Sequence, residues 1–423
     1  MTLESCVTTE KKPLLSIEEA QQRIDDAIFP LTENERVPLK QAFGRVLAET
    51  VFAPIDLPSA RNAAMDGYAF SSENFTTTLT NVGTSWAGKP FEIPPFEGGQ
   101  GGERREGFAL KVGECVRIFT GAVLPENADS VVMQEHVTVN GSEITFPADV
   151  KLKKNVREIG EDVRVGDVLC FTNKILTAVD LGLLAAVGTE NVSIIRQLKI
   201  VYFSTGDELV PLGTSLKQGK IYDSNRYILH GLLQNSCHQV TDGGVIVDDK
   251  DELKRTLMKA ASEFDVIITT GGASVGEADF VKEVLEECGQ VNFWKIAMKP
   301  GKPLAFGKIG VCYFFGLPGN PVAVTTTFDV IVKPALTRLS GANVKKPWQL
   351  TAICTTLLKK SRGRQEYQRG ILQQTETGEF QVASTGNQGS HILSSASLAN
   401  CYIILTAECT GVQIGETVTV VLT

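Results

Sequence analysis

Hydrophobic positions along this chain keep two periods, and the chain changes element where one period gives way to the other. Ser16-Ile-Glu-Glu19 forms a capping-box pattern, and Ile17, Ala20, Ile24, Ala27 and Ile28 then fall on one face of an amphipathic helix. The next stretch, LKQAFGRVLA, reads as a second helix, and the prolines at 54 and 58 stop helix and mark a boundary near residue 53. From there to about residue 157 the pattern is short strands and turns, with CVRIF, SVVMQEHVTV and EITF set apart by Gly, Pro and Asn. A helical stretch, AVDLGLLAAVG, follows GEDVRVGDVLC.

After residue 197 the period alternates regularly. Strand KIVYF, helix SNRYILHGLLQ, strand QVTDGGVIV, helix DELKRTLMKAA and strand DVIITT describe a doubly wound α/β domain. DVIITT is β-branched and apolar without alternation, as a strand covered on both faces reads. Past residue 343, TAICTTLL, CYIIL and TVTVVL with turns at ETGE and GE predict a β-barrel-like domain. The fold class is therefore multidomain, α/β and β. Residues 1–52 and 158–197 form a helix-containing connecting domain, 53–157 a β-rich domain, 198–343 the α/β domain and 344–423 the barrel.

Composition narrows the partners. At 423 residues the chain exceeds what one core serves, and 43% hydrophobic with 21% charged residues is ordinary for a soluble protein. A net charge of −8 without a basic run argues against nucleic acid. The nine cysteines, at 6, 115, 170, 237, 288, 312, 354, 401 and 409, show neither CxxC pairs nor metal-ligand spacing and read as reduced, mostly buried thiols. There is no signal-peptide pattern and no apolar window of membrane length, so a cytoplasmic protein without membrane contact is expected. Within 93–108, GGQGGERREG has the composition of a solvated insertion without chemistry.

Candidate chemistry gathers after the strands. Gly271 and Gly272 follow DVIITT directly, where absent Cβ atoms let backbone approach a ligand, and Ser274 adds a hydroxyl. A helix opening near Asp279, with Glu277 or Asp279 over its first turn, would turn unpaired N–H groups toward that loop, an arrangement suited to phosphate or another oxyanion. The spacing matches neither GxGxxG nor GxxxxGK[ST], and a Gly-Gly alone is more often a plain tight turn. Glu208, Asp248 and Asp279 lie in post-strand loops, where Mg2+ could bridge them to phosphate. Each carboxylate is individually more often a helix cap. Lys295 and Lys299 point to one side of an extended segment, PGKP stiffens the loop carrying Lys302, and three ammonium groups can offset a multiply charged ligand. Solvated surface lysines are the plainer alternative.

GGASVGEADF, FWKIAMKPGKPLAFGK, GLPGNPVA, FSTGDEL, IYDSNR, NAAMDGYAF and RIFTGAVLPENADSVVMQE together resemble the MoeA family, molybdopterin molybdenumtransferases related to the E domain of gephyrin. The likeness spans almost the whole chain. It implies a homodimer of elongated four-domain subunits, an α/β domain like the adenylyltransferase MogA, and a site in an intersubunit cleft. It also implies the reaction: adenylylated molybdopterin loses AMP in a Mg2+-dependent step while the pterin dithiolene ligates molybdate.

Carried over motif by motif, the functional positions are Asp66 in MDGYA, Thr120 in FTGA, Asp162 in GEDV, Glu208 in TGDEL, Asp248 in VDD, Asp279 in GEADF, Lys295, Lys299, Pro318 and Pro321. Arg369 in RQEYQRG and Ser390 in QGSHIL match motifs on the molybdate side. Given that reaction, physical reasoning places the pterin phosphate at Gly271, Gly272 and Ser274, the metal at Asp248 and Asp279, and molybdate or developing phosphoryl charge at Lys295 and Lys299. Asp66 and Thr120 would join that site by cleft closure or dimerisation, although Asp66-Gly67 is also a turn signal. Implied partners are a MogA-type adenylyltransferase and molybdoenzyme-maturation proteins. The segment IPPFEGGQGGERREGF departs from the family pattern by lengthening the β-rich domain. Two alternatives stand beside the enzyme: a gephyrin-like scaffold, and a CinA-like nucleotide hydrolase on the same α/β fold.

Overall fold

The structure, a computed structural model, describes residues 14–89, 109–234, 238–271 and 280–423. Gly272, Ser274, Glu277, Asp279, Cys6, Cys237 and the 93–108 stretch lie outside the described residues. The chain divides into two compact units, one comprising Met1–Glu49, Thr172–Thr177 and Val192–Thr423, the other Thr50–Phe171 and Ala178–Asn191.

The first unit opens with α1, Ile17–Ala27, while α2, Ala178–Ala186, belongs to the second. Ser16 Oγ accepts from the Glu19 N–H at 3.0 Å, and the Glu19 carboxylate accepts from the Ser16 N–H at 2.8 Å, so two otherwise unpaired donors are satisfied at the start of the helix. Ile17, Ala20, Ile24 and Ile28 are buried on the face that the spacing predicts. The helix expected over LKQAFGRVLA does not form. A 3-10 turn at Leu39–Gln41 is followed by Gly44 at φ +70°, after which Val46 bridges Ile175 and Leu47 bridges Ile194. Extended pairing satisfies the backbone there in place of helical hydrogen bonds.

The central sheet of this unit has six strands, in the order Gln239–Ile246, Lys199–Thr205, Val266–Thr270, Cys312–Leu317, Pro303–Ile309 and Gln290–Lys295. The first four run parallel, and Pro303–Ile309 runs antiparallel to both of its neighbours. Alternate residues feed two cores. Ile200, Tyr202 and Ile268 pack on one side with α1, with Leu229 and Leu233 of α3 (Ser224–Leu233), and with Val324 and Leu336 further along the chain. Val201, Phe203 and Ile267 pack on the other with Leu253 and Leu257 of α4 (Lys250–Glu263) and Val284 and Leu285 of α5 (Phe280–Cys288). That two-sided burial explains the unbroken apolar run in DVIITT.

The C-terminal strands close into a barrel of five. Gln365–Gln374 pairs with Phe380–Ser384, then come Gln349–Cys354, Thr417–Leu422 and Cys401–Leu405, which returns to Gln365–Gln374. A two-residue strand from the α/β segment, Met298–Lys299, lies parallel to Gln365–Glu366 of this barrel. Tyr367 and Tyr402 of the barrel share the core that holds Met298 and Phe315, so the two layers are packed as one.

The second unit holds another six-stranded sheet, ordered Ser130–Met133, Gly67–Phe70, Glu114–Ile118, Thr78–Ser85, Glu143–Thr145 and Thr138–Asn140. SVVMQEHVTV is split by a 3-10 turn at Gln134–His136. Asp66-Gly67 is no hairpin turn. Gly67 begins a strand, and a Cβ there would lie 1.9 Å from the Val132 carbonyl oxygen, a clash with backbone that excludes any side chain.

Candidate functional site

Because four strands are parallel, their following loops emerge on one edge of the α/β sheet. Gly206-Asp207-Glu208, Val247-Asp248, Gly271 and Pro318-Gly319 all begin there. Gly271 stands at φ +90°, and a Cβ on it would meet Thr205 Oγ1 at 2.6 Å and the Thr205 carbonyl oxygen at 2.8 Å. No other residue type fits.

The acidic residues separate by role. Asp249 caps α4, its carboxylate accepting from the Glu252 N–H at 2.8 Å. Asp248 is left for other work: its Oδ2 accepts from the Asp207 N–H at 3.4 Å, while Asp207 Oδ1 accepts from the Asp248 N–H at 3.2 Å. The carboxylate of Glu208 folds over Gly206, where a Cβ would lie 2.5 Å from Oε2. Glu208 and Asp248 are thus on neighbouring loops, joined by the hydrogen bonds between Asp207 and Asp248. Carboxylate oxygens on adjacent loops are donors of the kind Mg2+ takes. Among the described residues, no three His, Cys, Asp or Glu side chains form a ready-made metal cluster.

Lys295 ends the edge strand and Lys299 follows four residues later; both are exposed while Ile296 and Met298 between them are buried. Lys299 Nζ sits 3.0 Å from Glu366 Oε1, and the Glu366 side chain is 5% exposed. The second oxygen, Oε2, accepts from Gln368 Nε2 at 2.9 Å. The parallel register sets Lys299 directly against Glu366.

Arg369 is 1% exposed. Its Nε donates to Ser395 Oγ at 2.7 Å, and Nη2 donates to the carbonyls of Asn387 at 2.9 Å and Gly389 at 3.2 Å. Burial holds its pKa below the ordinary arginine value. The guanidinium therefore shapes the 387–389 loop from inside. The Ser390 carbonyl in turn accepts from the Val322 N–H at 3.2 Å, beside Pro321 at the first position of α6 (Pro321–Thr327). Pro318, three residues earlier in the preceding loop, is buried.

In the second unit, the Asp66 Oδ1 accepts from both the N–H and the hydroxyl of Thr120, each at 2.8 Å. Those two bonds, backbone first, hold the Asp66 carboxyl below the usual range, and the nearby Arg117 adds to the effect. MDGYA and FTGA, 54 residues apart, are brought together here. Asp162 is exposed, its N–H donating to the Leu57 carbonyl at 3.0 Å. Sequence reasoning passed over Asp207, Glu366 and Arg117. The first stood in the same TGDEL motif as Glu208, and the alternation of Glu366 with Gln368 in RQEYQRG was the available signal for the second.

Three family models match in succession: the MoeA N-terminal region (domain I and II) over residues 15–188, a probable molybdopterin binding domain over 202–338, and the MoeA C-terminal region (domain IV) over 351–423. The chain is 44% identical over 412 residues to a molybdopterin molybdenumtransferase of Haemophilus influenzae, covering 96% of this chain and 98% of that protein. It is 33% identical over 411 residues to gephyrin of Dictyostelium discoideum, covering 88% of this chain and 57% of gephyrin. The crystal structure of a molybdopterin biosynthesis MoeA protein from Pyrococcus horikoshii superposes with a TM-score of 0.78 at 29% identity, across 97% of this chain and 100% of that one.

Proposed function

The chain belongs to the MoeA family, and from that premise we propose that it is a molybdopterin molybdenumtransferase acting in molybdenum cofactor biosynthesis. Adenylylated molybdopterin would give up AMP as its dithiolene sulfurs take molybdate. The observation that carries this reading is the strand-end edge, where Gly271 turns the chain at φ +90° against Thr205 and Glu208 and Asp248 sit on neighbouring loops.

In this reading the backbone at Gly271 and Gly272, with Ser274, holds the pterin phosphate. Lys295 and Lys299 offset the charge of molybdate and of the departing phosphoryl oxygen. Asp248 and Asp279 would hold Mg2+, with Asp207 alongside, and the ion supplies neutralisation of phosphate charge. Pro318 and Pro321 fix the second loop, and Arg369 acts through the loop that carries Ser390. Asp66, Thr120, Asp162 and Glu208 complete the catalytic set. The four-segment division at 52, 157, 197 and 343, a cytoplasmic homodimer, and partnership with a MogA-type adenylyltransferase and molybdoenzyme-maturation proteins belong to the same proposal. Scaffold and hydrolase alternatives are not favoured.

Purified protein given adenylylated molybdopterin, Mg2+ and molybdate should release AMP and form active cofactor, and Asp248→Ala and Asp279→Ala should each lose both. AMP release without cofactor would instead support the hydrolase.

A further inference from the structure

Glu366 is a buried carboxylate that no step above uses. Burying such a charge is costly unless a cation and hydrogen-bond donors meet it. Lys299 Nζ, 3.0 Å from Oε1, is its one ionic partner among the described residues. The other oxygen is fixed separately: Gln368 Nε2 donates to Oε2 at 2.9 Å and to the Lys359 carbonyl at 3.0 Å, which ties the carboxylate to the barrel backbone through a buried amide.

Lys299 is the mobile member of the pair. Its side chain is 46% exposed, and Glu366 occupies one of its ammonium donors, leaving the others for a ligand. Of the lysines at 295, 299 and 302, Lys299 alone has an ion pair among the described residues. A lysine that must be ordered when its ligand arrives gives up rotamer freedom at that moment, whereas one already held does not. The pair is neutral overall, so Glu366 supplies Lys299 with a place and not with charge.

We propose that Glu366 is a positioning residue: it holds the Lys299 ammonium so that the remaining N–H groups meet a tetrahedral oxyanion, molybdate in the reaction proposed above. The identity of that oxyanion rests on the reaction; the holding contact rests on the strand register and the two hydrogen-bonded oxygens.

Calorimetric titration of the full-length protein with sodium molybdate reads the role. Glu366→Met, similar in length and uncharged, should weaken binding by roughly 10-fold as Lys299 regains its rotamers. Charge alone predicts the opposite sign, because removing a carboxylate favours an anion. Glu366→Gln should move the same way as Glu366→Met, since its single acceptor oxygen is shared between Lys299 and Gln368, and it keeps the test open if the methionine variant does not fold. Glu366→Asp keeps the carboxylate, and the flexible lysine stem can follow it by a methylene, so most of the affinity should return. Because Glu366 acts through Lys299, Glu366→Met should add nothing in a Lys299→Met background. Unchanged or tighter binding in the folded Glu366 variants, additive losses in the double variant, or wild type that takes up no molybdate would each overturn the role. Cofactor formation with adenylylated molybdopterin and Mg2+, assayed in parallel, tests the reaction separately: Glu366-dependent molybdate binding without cofactor would sink the reaction and leave the positioning role standing.

Discussion

Adjacent aspartates at the end of the strand Gln239–Ile246 separate structural from chemical duty at the residue scale. Asp249 spends its carboxylate on the first turn of α4, so Asp249→Ala should cost about 1 kcal/mol in denaturant unfolding and leave cofactor formation intact. Asp248→Ala should do the reverse. The Asp66 carboxyl, held low by Thr120, keeps its charge to more acidic pH than an ordinary aspartate. Thr120→Ala removes the hydroxyl donor and keeps the backbone one, so the Asp66 pKa should rise part of the way back, and the acid limb of the activity profile should begin at higher pH. Carboxyl NMR titration reads the shift directly, and an unmoved Asp66 would show that the hydroxyl contributes nothing. The acid and lysine candidates were marked by motifs in the sequence. Their partners were not: Glu366 lies 67 residues beyond Lys299, and only strand register brings them together.

Elements were legible wherever burial imposes a clean period. Two-sided burial produced DVIITT, and an inward-facing stripe produced α1. LKQAFGRVLA misled because its helix-forming composition is overridden at Gly44, whose left-handed backbone sends Val46 and Leu47 into extended bridges. The barrel expected past residue 343 is present, but its strand order was beyond periodicity, since that depends on which strand returns to Gln365–Gln374. The strand-to-loop corner after Val266–Thr270 is where element geometry meets the site. Gly271→Ala would force a side chain to φ +90° and against Thr205 backbone, which should cost roughly 2–4 kcal/mol and lower the melting temperature. A variant as stable as wild type would mean that the corner can shift without penalty.

Each unit of the molecule carries its own hydrophobic cores, and charge pairs tie distant segments of the first one together. Arg196 reaches Asp265 through two hydrogen bonds, at 2.7 and 2.9 Å, and Glu33 through a third at 2.6 Å. Burial pushes the Asp265 carboxyl up, but the Arg196 guanidinium and the Lys199 N–H outweigh it and hold the pKa below the usual range. Stability from this group is therefore complete above the ordinary carboxylate pKa and lost as pH falls through the depressed folded value. Arg196→Met should remove about 1–2 kcal/mol at neutral pH and flatten the acid side of the stability curve. Denaturant midpoints measured from pH 7 to 3 give both readings, and an unchanged slope would count against the pair. The pairing of Met298–Lys299 with the barrel carries a different consequence, one of descent rather than energy. Lys299 is written in one segment and placed by another. A single residue inserted or deleted in the turn at 361–364 would slide Gln365 or Tyr367 into the place of Glu366, so that turn's length is under the same constraint as the lysine itself.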